Sequence, residues 1–266
     1  MSTETGNQNK RGLLSALTAR LSVLFWFLVA VIAAPVVLPD GPIMRVVMAV
    51  ALFVLMLSGL HAISQHRHQL FLGIGLAVPA VALNIIGLTT DNLDLYIASQ
   101  FVYLAFFVYL AFHILLWTMR QHDVDAETIY GAVSVYLLMA LIWGIAYYSI
   151  ALTSPGSFRF PDEDELGELQ AERAAVLEEL EEGEPQALPA DWTERANSAS
   201  GTMMYYSFVT LTTLGSGDIY PVSDAARILA MLEATLGQLY LVILVARLVG
   251  LYTSQESERR KKATPT

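Results

Sequence analysis

Long apolar runs, separated by brief polar breaks, dominate the first 152 residues of the chain. Their length and continuity predict helices over roughly 18–38, 43–64, 70–88, 94–119 and 128–152, and a sixth follows over 224–252. Each run has the 18 or more apolar residues that a helix needs to cross a hydrocarbon layer of about 30 Å. The breaks near 39–42, 65–69, 89–93 and 120–127 are short, so the first five helices are expected to pack as antiparallel neighbours. Only the fifth and sixth are separated by a long segment, residues 153–223.

Composition agrees with this pattern. Of 266 residues, 55% are hydrophobic and 15% charged, and the mean hydropathy is +0.51, too apolar for an ordinary soluble domain. The expected class is an all-α membrane protein with six transmembrane helices. Cysteine is absent, which excludes disulfides and thiolate metal sites. The polar start, MSTETGNQNKRGLLSALTAR, is too long before its apolar run to read as a cleaved signal.

Charge in the breaks sets an orientation. Lys10, Arg11 and Arg20 precede the first run, Arg67 and Arg120 occupy alternate breaks, and Arg259, Arg260, Lys261 and Lys262 follow the sixth. Asp40, Asp91 and Asp94 mark the other side. Basic residues stay cytoplasmic, so a multi-pass protein of the cell membrane is expected, with both termini inside and 153–223 outside. Within that outer segment, residues 153–199 carry 13 carboxylates against Arg159, Arg173 and Arg195. Two readings fit: a disordered acidic spacer, or a cap containing the amphipathic stretch ELGELQAERAAVLEELEE, which would concentrate cations. The second is preferred.

Residues 201–213, GTMMYYSFVTLTT, are semi-apolar yet too short to span, as a re-entrant helix would be. LGSGDIYP then breaks the helix. Unpaired backbone at membrane depth is tolerated only when buried in protein or lining an aqueous path. A helix, a glycine-rich extension and a closing helix are what a carbonyl-lined ion path requires. An external hairpin with a Gly-Ser-Gly turn is the plainer reading.

The segment resembles the pore loop of the tetrameric potassium channel superfamily, whose filter reads Thr-Val-Gly-Tyr-Gly-Asp. Here Thr213, Leu214, Gly215, Ser216, Gly217 and Asp218 align without gaps. Tyr205 and Tyr206 match paired aromatics of the pore helix, Thr212 and Thr213 its double threonine, and Gly237 a frequent hinge glycine. The resemblance covers about 125–252 well, including DAETIYGAVSVYLL and EATLGQLYLVILVARLVGLY, which look like a bacterial subgroup of ion channel proteins. It reaches residues 1–122 only through helix count.

The resemblance implies a pore domain over 123–254, with outer helix 128–152, acidic cap 153–199, pore helix 201–213, filter 213–218 and inner helix 224–252. A four-helix peripheral domain over 1–122 precedes it, and a short basic tail over 255–266 follows. It implies bound K+ ions at the carbonyls of Thr213, Leu214, Gly215 and Ser216, with the Thr213 hydroxyl at the innermost site and Gly217 at the mouth. Asp218 would accept a hydrogen bond from Tyr205. Four copies would surround one axis, giving a homotetramer whose partners are itself, monovalent cations and membrane lipids, with no nucleic acid and no other cofactor.

Ser216 departs from that pattern. It keeps a carbonyl but removes the ring that wedges such a filter, leaving the Tyr206 hydroxyl in need of another acceptor. Water and the Ser216 hydroxyl are expected to fill the gap, in a more deformable filter.

Gating and the remaining polar groups are read from the residues themselves. The fourth run contains Gln100 and His113 but no Arg or Lys, so a conventional voltage sensor is not expected. Glu233, in the sixth run, is either a functional ionisable group or a carboxyl bonded to the pore helix, for instance to a threonine. Arg247 is expected to snorkel or to pair with Asp125 or Glu127. Asn84 and His113 are expected to bond between helices, and Pro79 to kink the third. The leading reading is a passive potassium-conducting channel. A poorly selective cation channel and a non-conducting sensor or scaffold are the alternatives. No nucleophile, metal-ligand or phosphate-loop motif suggests an enzyme.

Overall fold

The computed structural model describes residues 20–37, 42–63, 67–90, 93–121, 124–160 and 192–263, with isolated positions 167, 171 and 175. Most of residues 161–191 lie outside the described residues, so most of the expected cap and of its amphipathic stretch does too. The same holds for residues 1–19, including Lys10 and Arg11.

The described chain is helical. In order it forms α1 (Arg20–Val37), α2 (Pro42–Ile63), α3 (Arg67–Thr89), α4 (Leu93–Arg120), α5 (Ala126–Thr153), β1 (Phe158–Arg159), α6 (Trp192–Leu211), β2 (Tyr220–Pro221) and α7 (Asp224–Ala263). Among the described residues, four helices are long and apolar enough to cross a membrane: Arg67–Gly87, Asp94–Arg120, Ala126–Thr153 and Asp224–Ser257. The apolar stretches recognised in α1 and α2 are shorter, Leu21–Ala33 and Val50–Ala62. The chain is a membrane protein on this evidence, and Pro79 lies within α3.

Two helices outrun their expected bounds. The helix expected over 201–213 begins at Trp192 and ends at Leu211, because the polar turns at 192–200 continue it outward. The last helix passes beyond 252 to Ala263, so most of the basic tail prolongs α7. Apolar continuity sets the expected ends, and both extensions are polar in sequence.

α1–α5 share one core. Leu24, Leu28, Leu55, Met56, Phe106, Phe107, Leu110 and Leu138 are buried within it. A second cluster joins the C-terminal half of α5 to α6 and the start of α7, through Tyr147, Tyr148, Phe158, Tyr206, Ile219 and Ala226. Three rings meet there: Tyr147 and Tyr206 at 5.0 Å, Phe158 and Tyr206 at 5.5 Å, and Tyr147 and Phe158 at 5.7 Å, all edge-to-face. Such contacts suit the ring quadrupoles better than flat stacking.

Helix-terminal bonds join the helices along the edge where α4 ends and α5 begins. Asp125 caps α5 by accepting from the Thr128 N–H at 2.8 Å. Glu127 accepts from the Leu21 N–H at 3.3 Å, placing a carboxylate at the positive end of α1. Arg247 of α7 does not pair with either acid. Its guanidinium donates to the carbonyls of Thr118, Met119 and Gln121 at 2.5, 2.8 and 2.7 Å. These carbonyls lie at and just past the end of α4, where helical donors run out; Thr118 O otherwise takes a long bond from the Gln121 N–H at 3.4 Å, so a fork of N–H groups satisfies them. His113 likewise bonds within its own helix, to the Tyr109 carbonyl at 2.9 Å, and not to a neighbour. Asn84 does reach across, to Ser99 on α4 at 3.4 Å.

Candidate ion-path segment

The connection from α6 to α7 is built from the end of α6 outward. An α-helix leaves its last carbonyls without partners, and here each has one. Thr213 N–H donates to Thr210 O at 3.0 Å, and Leu214 N–H to Val209 O at 2.9 Å. These are the paired bonds of a Schellman cap, with Thr213 at the left-handed position usually held by glycine. Thr212 donates to Phe208 O through both its N–H and its hydroxyl. The Tyr136 hydroxyl of α5 reaches Leu211 O at 3.4 Å.

Thr213 has φ +58°, Gly215 +58° and Gly217 +81°, while Leu214 and Ser216 keep negative values. For a β-branched residue the left-handed region is an outlier costing about 1–3 kcal/mol, the kind of strain that collects at functional sites. In an ordinary strand, successive carbonyls point to opposite sides. Alternating the sign of φ at every second residue turns them toward the same side, and glycine accepts this freely at 215 and 217. Residues 212–218 are exposed, Leu214 at 71%, so this backbone is open along one side of the chain.

Behind it, Tyr205 meets Asp218 as expected, and Ser216 adds to the bracing. Tyr205 does not bond Asp218 alone. Its hydroxyl donates to Ser216 Oγ at 3.1 Å, and Ser216 Oγ donates to Asp218 Oδ1, so serine relays the contact. Asp218 Oδ1 also accepts from the Ile219 N–H at 3.0 Å. The Ser216 hydrogen bond, with help from Tyr205, holds the Asp218 carboxyl below the usual carboxylate range. Tyr206 turns inward to the three-ring cluster, and its hydroxyl finds Thr210. The sequence leaves this substitution open because the residue that takes over from a missing ring is set by folding.

After the glycines the chain is tied down. β1 and β2 pair antiparallel, Phe158 opposite Pro221 and Arg159 opposite Tyr220. Val222 N–H adds a bond to Ser157 O at 2.8 Å. The end of α5 thus holds the start of α7, where Ser223 accepts from the Ala226 N–H at 3.3 Å as a cap.

Three α7 residues reach back toward this segment. Glu233 is fully buried, with one carboxyl oxygen 2.5 Å from Ser207 Oγ of α6 and the other accepting from the Tyr147 hydroxyl of α5 at 2.6 Å. It meets a serine where a threonine was expected. Gly237 faces the end of α6 so closely that a Cβ would lie 3.0 Å from Leu211 O. A packing demand thus accounts for the glycine, and α7 runs through it as one helix. Gln238, which sequence patterning did not single out, donates from Nε2 to Thr213 Oγ1 at 3.2 Å. Its only sequence signal is polarity within an otherwise apolar run.

Residues 190–254, the region containing α6, the glycine segment and most of α7, match the family model described as "Ion channel". The match covers about a quarter of the chain. It supports the ion channel superfamily for this region, and with it a channel in preference to an enzyme. Comparison with curated proteins and with solved structures found no match.

Proposed function

We propose that the protein is a passive cation channel, potassium-conducting, in which residues 213–217 form the selectivity filter of a homotetramer. The observation that carries this reading is the alternating left-handed backbone at Thr213, Gly215 and Gly217, in a segment that matches ion channels. One chain offers one open row of backbone, so four copies around an axis are needed to close a path of carbonyl rings. The Thr213, Leu214, Gly215 and Ser216 carbonyls would replace an ion's hydration shell, with α6 as pore helix, α5 as outer helix and α7 as inner helix. α4 carries no Arg or Lys before Arg120 in its last turn, so no conventional voltage sensor is proposed.

A second reading, weak selectivity among monovalent cations, is favoured by Ser216. Its hydroxyl holds Asp218, and position 216 itself carries no ring to wedge the segment. If a rigid cavity sets selectivity, sodium should pass as well; if carbonyl number and field set it, potassium preference should persist.

Purified protein in potassium-loaded liposomes tests the channel reading: cation efflux is expected, and its absence would favour a non-conducting scaffold. Reversal potentials in mixed potassium and sodium then separate the two selectivity readings, with Ser216→Tyr as the comparison.

A further inference from the structure

We infer that Gln238 is a positioning and specificity residue for the inner end of the filter, holding the Thr213 hydroxyl with its amide N–H. This rests on the channel reading above.

The first observation is the bond itself, from Gln238 Nε2 to Thr213 Oγ1, joining α7 to the first left-handed residue of the segment. The second is the surroundings of Gln238. The exposed side chains of α7 from Leu236 to Val249 are otherwise apolar: Leu236, Leu239, Leu241, Val242, Ile243, Val245, Ala246 and Val249. A primary amide on such a face is costly in lipid, and a water-filled path is where it is tolerated. The third is the preceding residue. Gly237 lets α7 approach the Leu211 carbonyl closely, which brings the next side chain within reach of Thr213. The glycine makes the close contact, and the glutamine uses it.

The chemistry follows from donor counting. A threonine hydroxyl has one proton and two acceptor lone pairs. Gln238 occupies one lone pair, which fixes the hydroxyl's orientation and leaves the second for a cation. The amide oxygen is an additional acceptor beside it. Four copies would place four such amides around the inner entrance, where a hydrated monovalent cation sheds its water. The Thr213 backbone is already strained, so an anchor on its side chain bears directly on the geometry of the innermost site.

The test is a double-mutant cycle on full-length protein in liposomes, reading the potassium-to-sodium permeability ratio. Gln238→Leu removes donor and acceptor at similar volume; Thr213→Val removes the hydroxyl and keeps the branched shape. Gln238→Leu is expected to change the ratio by about threefold or more in the wild-type background, and far less in the Thr213→Val background. Gln238→Met, which keeps the length but cannot donate and adds no charge, should reproduce the loss of coupling, and it serves if the leucine variant does not assemble. Equal changes in both backgrounds, or none, would overturn the inference while leaving the channel reading intact. Wild-type protein that passes no cation would overturn both.

Discussion

The phenol of Tyr147 donates a 2.6 Å hydrogen bond to the carboxyl group of Glu233, joining α5 to α7 where neither residue meets solvent. The other carboxyl oxygen lies 2.5 Å from Ser207 Oγ, which is also 2.8 Å from the Ala140 carbonyl. A serine has one hydroxyl proton, so both contacts are hydrogen bonds at once only when the carboxyl itself carries a proton. Glutamine reproduces that pattern: its N–H faces Ser207 and its oxygen accepts from Tyr147. Glu233→Gln should therefore keep thermal stability in detergent close to wild type. Glu233→Ala should lose roughly 1–3 kcal/mol for each hydroxyl left without a partner. A glutamine variant as unstable as the alanine one would show that charge is what the site requires.

Gly237 gives a second prediction, because a hinge and a packing contact respond differently to alanine. The added Cβ would lie 2.6 Å from the Leu211 Cδ1 atom and 3.0 Å from the Leu211 carbonyl. A side chain can rotate away; a helix-terminal carbonyl cannot do so cheaply. Gly237→Ala should destabilise the fold by about 1–3 kcal/mol, the usual range for overpacking. Leu211→Ala in the same protein should recover only part of the loss. Changed channel opening with unchanged thermal stability would show a hinge instead.

Much of this was legible in the sequence because membranes impose long apolar runs. The helices at 67–89, 93–120 and 126–153 lie within a few residues of expectation for that reason. The glycine segment was legible too, since Gly215 and Gly217 admit the left-handed backbone they are seen to adopt. What patterning missed are contacts between helices. Arg247 could pair with nearby acids on paper, but two α4 carbonyls and that of Gln121 just beyond lie within its reach. Gln238 matters only because Gly237 brings α7 close to α6. Ser216 shows both sides: its sequence marked the departure, and only folding set it between Tyr205 and Asp218.

That relay makes a prediction about pH. Asp218 has a depressed folded-state pKa, with the Ser216 hydrogen bond as the largest cause. A depressed carboxyl contributes above its unfolded value and loses that contribution as pH falls through the folded pKa. Acid on the outer side should therefore impair the wild-type filter only below the ordinary carboxylate range, about pH 4. Ser216→Ala removes the main lowering influence, so its acid midpoint should rise toward that range. Ser216→Thr, which keeps the hydroxyl, should stay near wild type. Conductance measured against external pH distinguishes these, and identical midpoints for serine and alanine would refute the relay.

Arg247 offers the sharpest contrast between partners. If it served to neutralise Asp125 or Glu127, lysine would replace it nearly as well. Its three carbonyl partners instead require a planar fork, which a single ammonium cannot match in geometry. Arg247→Ala should cost about 1.5–3 kcal/mol, the range for hydrogen bonds to a charged group, and Arg247→Lys should recover less than half of it. Asp125→Ala should cost about 1 kcal/mol through its own cap on α5. Because Asp125 and Arg247 share no hydrogen-bond partner, the two losses should add in the double variant. Thermal unfolding of the four variants in one detergent measures all of these. A lysine variant of full stability, or a strongly non-additive double variant, would return Arg247 to an ion pair with the acids at the start of α5.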